Sequence, residues 1–161
     1  MNLPQTEEHL EVGDGQFAIV ASRYNAEYVD SMLDAARAVL ERAGAKKIDV
    51  IRVPGAYEIP VVAMRLARTG KPGLSAIICL GVILRGKTTH ADHIGRAVSD
   101  ALMEIQLAHE VPVIHEVLLL ENEDQAKERC IDVKRNRGIE AAQTALKMAD
   151  VMRKLADAGS V

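Results

Sequence analysis

Short apolar runs alternate with amphipathic stretches along this chain. Residues 17–21, 48–53, 75–84 and 111–120 are rich in Val, Ile and Leu, and each is too short for a long helix. Runs of that kind are strands buried on both faces. Between them the apolar positions recur at helical spacing. Val29, Met32, Leu33, Ala36, Val39, Leu40 and Ala43 share one face after Asn25, which reads as an N-cap, and Gly44 ends that helix. A second helix follows Pro60 and stops near Arg68. Ile94, Ala97, Val98, Ala101, Leu102, Ile105 and Ala108 form a third face, with Thr89 and Asp92 placed as a capping pair. Residues 123–130 read as a short helix, and Ile139, Ala142, Leu146, Ala149, Met152 and Leu155 mark the last one. Strands alternating with helices predict an α/β protein: a flavodoxin-like, doubly wound, four-stranded parallel sheet with helices on both faces.

Residues 1–15 are polar and acidic and read as a flexible arm; residues 16–161 form one domain by length. The chain is 48% hydrophobic and 27% charged, so disorder is excluded as its main state. Its net charge of −3 gives no reason to expect a nucleic acid or an anionic membrane as partner. No apolar run approaches the ~20 residues of a membrane span. The N-terminus lacks the cationic and apolar organisation of a signal, so a cytoplasmic protein is expected. Cys79 and Cys130 have no metal or redox spacing, which fits a reducing compartment.

Ligands of such sheets bind beyond the carboxyl ends of the strands. Those ends carry Arg23 and Tyr24, the turn Pro54-Gly55-Ala56-Tyr57-Glu58, and the stretch Leu84 to His90. Tyr24 and Tyr57 stand out because Phe17 and Tyr28 are the only other Phe, Tyr or Trp residues. The turn is set by Pro54, Gly55 and Pro60, and leaves the N–H groups of Gly55 and Ala56 accessible. Arg85, Lys87, Thr88, Thr89 and His90 crowd the start of the third helix, where free N–H groups favour an anion such as phosphate. His115 and Glu116 interrupt the fourth strand and need partners or a wet site. Each residue also has a structural reading: a solvated helix start for His90, a half-buried turn for Tyr24, a helix-dipole contact for Glu58, and a hydrogen-bonded core histidine for His115.

Gly81 to Thr88 also fits G-x-x-x-x-G-K-T, the phosphate loop of nucleotide triphosphatases. That loop must wrap a phosphate, whereas Val82, Ile83 and Leu84 continue a strand. A triphosphatase is kept as a subordinate alternative. No histidine–carboxylate set has metal spacing, so no metal is expected, and no nucleophile has an adjacent base. The set suits acid–base chemistry on a phosphorylated substrate.

Taken together, Ser22-Arg-Tyr-Asn25, Val53 to Pro60, Gly81 to His90, Gln125-Ala-Lys-Glu-Arg129 and Asn136 to Ala142 resemble the 6,7-dimethyl-8-ribityllumazine synthases. The resemblance runs from about Phe17 into the last helix. It implies a cofactor-free enzyme that condenses 5-amino-6-(D-ribitylamino)uracil with 3,4-dihydroxy-2-butanone 4-phosphate and releases phosphate. By the same resemblance, Tyr24 stacks on the pyrimidine, where the family usually has Phe or Trp. Ala56, Tyr57, Glu58, Val82, Ile83, Leu84 and His115 hold the pyrimidine and ribityl side. Lys87, Thr88 and Arg129 meet the butanone phosphate, His90 transfers protons, and Asn25 and Arg137 support the site.

The resemblance further implies small-molecule substrates and a homo-oligomer of pentamers with sites between subunits. It also brings in riboflavin synthase as a candidate partner. Three departures stand out. His93 occupies a position where an aromatic is common, His115-Glu116 replaces an aromatic and glycine, and Arg137 replaces lysine. The pair His115-Glu116 motivates a second alternative, a catalytically weakened relative that binds a flavin-like ligand.

Overall fold

The computed structural model describes residues 14–159, so most of the expected arm, residues 1–13, lies outside the described residues. Four strands, β1 (Gln16–Ser22), β2 (Lys47–Val53), β3 (Leu74–Leu84) and β4 (Val113–Leu120), form one sheet in the order β2-β1-β3-β4. Every neighbouring pair is parallel. Five α-helices connect or follow the strands: α1 (Ala26–Arg42), α2 (Ile59–Thr69), α3 (His90–His109), α4 (Glu123–Cys130) and α5 (Arg137–Ala158). The predicted doubly wound architecture is the one observed.

The two faces explain the apolar runs. Phe17, Ile19 and Ala21 of β1, with Ala76, Ile78, Leu80 and Val82 of β3, pack on α1, α4 and α5. Val20, Ile77 and Cys79 point the other way, to α2 and α3. Central strands therefore alternate between two apolar layers and show no polar face. The edge strands differ: β2 carries Lys47, Asp49 and Arg52, and β4 carries His115 and Glu116. On the first face α5 approaches α1 closely enough that a Cβ on Gly138 would lie 2.1 Å from the Met32 carbonyl oxygen. Only a glycine lets the two helices pack at that distance.

Two expected caps are absent. Asn25 sits at φ 57, ψ 44, a left-handed conformation, and its side chain makes no capping hydrogen bond. Its Nδ2 instead donates to the Val82 carbonyl at 2.8 Å. Asparagine tolerates that conformation better than most residues, and the side chain ties the end of β1 to that of β3. Thr89 provides no side-chain cap to α3 either. Asp92, its expected partner, is held by Arg85 at 2.7 Å. A strong cation at the end of β3 outcompetes a backbone amide for the carboxylate. The fourth strand begins at Val113 rather than 111, its register starting at Ile77 opposite Val113. Pro112 has no N–H to pair, although its carbonyl accepts from Ile77 at 2.9 Å.

Candidate functional site

The connection from β1 runs through α1 to β2 at one edge, and α2 then crosses back to β3. Strand order thus reverses between β1 and β3, and a crevice opens beyond their carboxyl ends. A cleft of about 800 Å³ occupies it, a size suited to a small heterocyclic ligand.

The turns after β1 and β2 are stitched together first. The Arg23 and Tyr24 amides donate to the Pro54 carbonyl, both at 3.0 Å, and Arg23 also reaches the Val53 carbonyl at 2.8 Å. Arg52 braces the same corner: Nη2 donates to the Ser22 carbonyl at 2.9 Å and Nη1 meets Asp30 at 2.7 Å. These bonds set the Tyr24 ring against Gly55, where a Cβ would fall 2.9 Å from two ring carbons. The Gly55 amide, expected from the sequence to be accessible, is not free for a ligand, because it donates to Glu58 Oε2 at 3.2 Å. The carboxylate folds back over its own turn, and that positions it at the cleft. Tyr24 and Tyr57, each 66% exposed, form the open walls.

The floor comes from β3, where Val82, Ile83 and Leu84 line the cleft as strand residues. His90, His93, Ile94 and Ala97 of α3 complete it. Of the predicted site residues, Tyr24, Asn25, Ala56, Tyr57, Glu58, Val82, Ile83, Leu84 and His90 therefore meet in one place. Gly55, His93, Ile94 and Ala97 join them without having been assigned a site role. The helical spacing of His90, His93, Ile94 and Ala97 was the signal that would have found the last three.

Five predicted residues do not line this cleft. Lys87 and Thr88 are exposed just before α3, at its rim, and Thr88 Oγ1 accepts from the His90 amide at 3.4 Å. Arg129 is exposed on α4. His115 lies in mid-strand on the α3 side of β4, with Nε2 2.7 Å from Ser99 Oγ. Arg137 lies on the opposite side of β4, forked onto buried Glu116 at 3.2 Å through both Nε and Nη2, and onto Glu140 at 2.6 Å. Both polar residues in β4 thus have partners.

The titratable groups divide by environment. Burial pushes the thiols of Cys79 and Cys130 up to about 12, so neither is a nucleophile at neutral pH. Burial lowers the His115 imidazole and raises the Glu116 carboxyl, the latter opposed by Arg137. The hydrogen bond from Arg85 holds Asp92 below the usual carboxylate range. Among the described residues no three His, Cys, Asp or Glu side chains gather as a metal site. No helix of the described residues is long and apolar enough to cross a membrane. What the cleft offers is an imidazole at a helix start, an aromatic wall, a carboxylate and an apolar floor.

Comparison with known proteins gives the family of the chain. The family model described as 6,7-dimethyl-8-ribityllumazine synthase matches residues 14–153. A protein of that name from Thermococcus onnurineus is 42% identical over 144 residues, covering 89% of this chain and 93% of the relative. One from Xanthomonas oryzae pv. oryzae is 43% identical over 142 residues, covering 87% and 91%. One from Salinibacter ruber is 41% identical over 153 residues, covering 91% and 97%. With the fold, the cleft and the family match over nearly the whole chain in agreement, this chain belongs to the 6,7-dimethyl-8-ribityllumazine synthases, transferases of riboflavin biosynthesis.

Proposed function

We propose that the chain condenses 5-amino-6-(D-ribitylamino)uracil with 3,4-dihydroxy-2-butanone 4-phosphate at this cleft, with His90 as the proton-transfer group. The observation that carries the reading is the meeting of Tyr24, Glu58, the β3 end and His90 in one crevice of suitable size. The Tyr24 ring stacks on the pyrimidine. Tyr57 and Glu58 hold its polar edge and the ribityl chain, and Val82, Ile83 and Leu84 form the apolar bed. The phosphate sits at the rim, on Lys87, Thr88 and the start of α3, where helix N–H groups face outward. An amine of the pyrimidine attacks the ketone and forms an imine with loss of water. A carbon proton is then lost as phosphate leaves, and the ribitylamino nitrogen attacks the remaining carbonyl, closing the ring with loss of a second water. Each of these steps needs a proton moved, and an imidazole is the side chain suited both to give and to take one.

The cleft of one protomer lacks Arg129 and His115, which lie on α4 and on edge strand β4. We read this as a site shared between neighbouring copies in a pentamer, a ring of identical heterologous contacts. The buried, free thiols of Cys79 and Cys130 favour a cytoplasmic setting. The chain does not suit a triphosphatase, because Gly81 to Leu84 lie within β3 and leave no loop to wrap a phosphate. The test is an assay with both substrates that follows lumazine absorbance and phosphate release together. Equimolar appearance of the two supports the reading; tight pyrimidine or flavin binding without turnover supports a weakened relative instead. Light scattering tests the shared site: a fully active species near the 17.5 kDa monomer mass overturns it.

A further inference from the structure

Arg85 stands where three elements meet. It is the residue after β3, and its amide donates to the Leu120 carbonyl at 2.8 Å, extending the β3–β4 pairing. Its guanidinium forks: Nη1 lies 2.7 Å from Asp92 Oδ2 and Nε lies 2.9 Å from Glu121 Oε1. Asp92 is in the first turn of α3, two residues after His90. Glu121 follows β4, and its amide donates to the Gln125 side chain of α4 at 2.9 Å. Asp92, Arg85, Glu121 and Gln125 therefore make a continuous polar chain from the start of α3 to the helix that carries Arg129.

The start of α3 has need of such a tie. Thr89 gives it no side-chain cap, and residues 86–89 are exposed. A Cβ on Gly86 would meet nothing within 4 Å, so no neighbour packs against the loop there. A lone exposed ion pair contributes little, but a fork anchored by its own backbone and shared by two carboxylates is a network with fixed geometry. A lysine ammonium, being a single point, does not reproduce two divergent N–H directions.

The geometry points to Arg85 as a positioning residue for the reaction. Through Asp92 it sets the first turn of α3, and with it His90, against the cleft; through Glu121 it sets that turn relative to α4. This rests on the role proposed for His90.

The test uses Arg85→Gln, Arg85→Lys, Asp92→Asn and the double variant R85Q/D92N in the assembled enzyme, beside His90→Ala. Arg85→Gln and Asp92→Asn are each expected to lower kcat about tenfold or more, with KM for the pyrimidine held within about twofold. The double variant is expected to be no slower than Arg85→Gln, since both remove one shared interaction. Arg85→Lys is expected to restore part of the rate. Without substrate, the amides of residues 93–97 should exchange about tenfold faster, while those of β3 stay protected. Unchanged kcat in Arg85→Gln, with His90→Ala slow, overturns the proposal and leaves the role of His90 standing. Unmoved exchange at residues 93–97 overturns it as well. Should Arg85→Gln not fold, Asp92→Asn decides by the same two readouts, because it leaves Arg85 on Glu121. A His90→Ala enzyme of wild-type rate removes both the catalytic reading and this one.

Discussion

Replacing Gly55 by alanine should loosen the proposed aromatic wall and leave the fold in place. Gly55 has φ −131 and ψ 176, extended backbone that any residue adopts, so the substitution carries no backbone strain. The effect is steric. The added Cβ would lie 2.9 Å from Cδ2 and Cε2 of Tyr24, and 3.1 Å from Glu58 Oε2. Carbon atoms in contact prefer about 3.5–4.0 Å, so the ring must retreat by roughly 0.6–1.1 Å. Tyr24 is 66% exposed and free to swing outward, and the fold should lose no more than about 0.5 kcal/mol, as for other surface changes. A pyrimidine stacked on that ring should lose its aromatic contact, worth about 0.5–1.5 kcal/mol, which weakens binding about 2- to 13-fold. Calorimetric titration of the pyrimidine substrate alone into the assembled protein measures this, with a thermal melt as control. In a Tyr24→Ala background the effect of Gly55→Ala should largely vanish, because both act on one contact. Unchanged affinity in Gly55→Ala, while Tyr24→Ala binds more weakly, would refute the reasoning. So would a melting temperature lowered by many degrees, which would make Gly55 a packing residue first.

Further outcomes follow from the same geometry. His90→Ala should slow condensation about 10²- to 10⁴-fold, as for other positioned acid–base groups, with an unchanged melt. Arg129→Ala should weaken the butanone phosphate by about 1.5–3 kcal/mol and the pyrimidine far less; equal losses in the two KM values would contradict its placement. Gly138→Ala should cost about 3 kcal/mol or more in denaturant unfolding, because its Cβ would meet Met32 backbone atoms at 2.1–2.8 Å and the obstacle is a helix rather than a mobile side chain. The His115 imidazole is lowered by burial, so the folded protein binds fewer protons there than the unfolded chain. Stability should therefore fall as pH drops from about 6.5 through the folded-state value, and His115→Gln should flatten that slope in unfolding curves taken at several pH values.

The sequence by itself determined the elements and their two-sided burial. Runs such as residues 17–21 and 76–84 carry no charged or hydroxyl side chain because both faces of β1 and β3 are covered. Strand ends were equally legible, since a parallel sheet with helical crossovers puts every carboxyl end on one side. That rule alone placed Tyr24, the Gly55 to Glu58 turn and His90 together. Local letters were poorer guides wherever a distant partner competed. Asn25 has the right chemistry for a cap, yet its amide is 2.8 Å from the Val82 carbonyl, 57 residues away. Asp92 sits at the right spacing to pair with Thr89, yet Arg85 takes it. Gly55 promised a free N–H, and Glu58 claims it three residues later. The two faces of β4 decide the rest: they send His115 to Ser99 and Glu116 to Arg137, whereas pattern alone left His115 between a ligand contact and a hydrogen-bonded core position. Periodicity reports which side of an element is buried, and that information is carried along the chain. Which polar group satisfies which depends on atoms brought together by folding, and only the tertiary structure contains those distances.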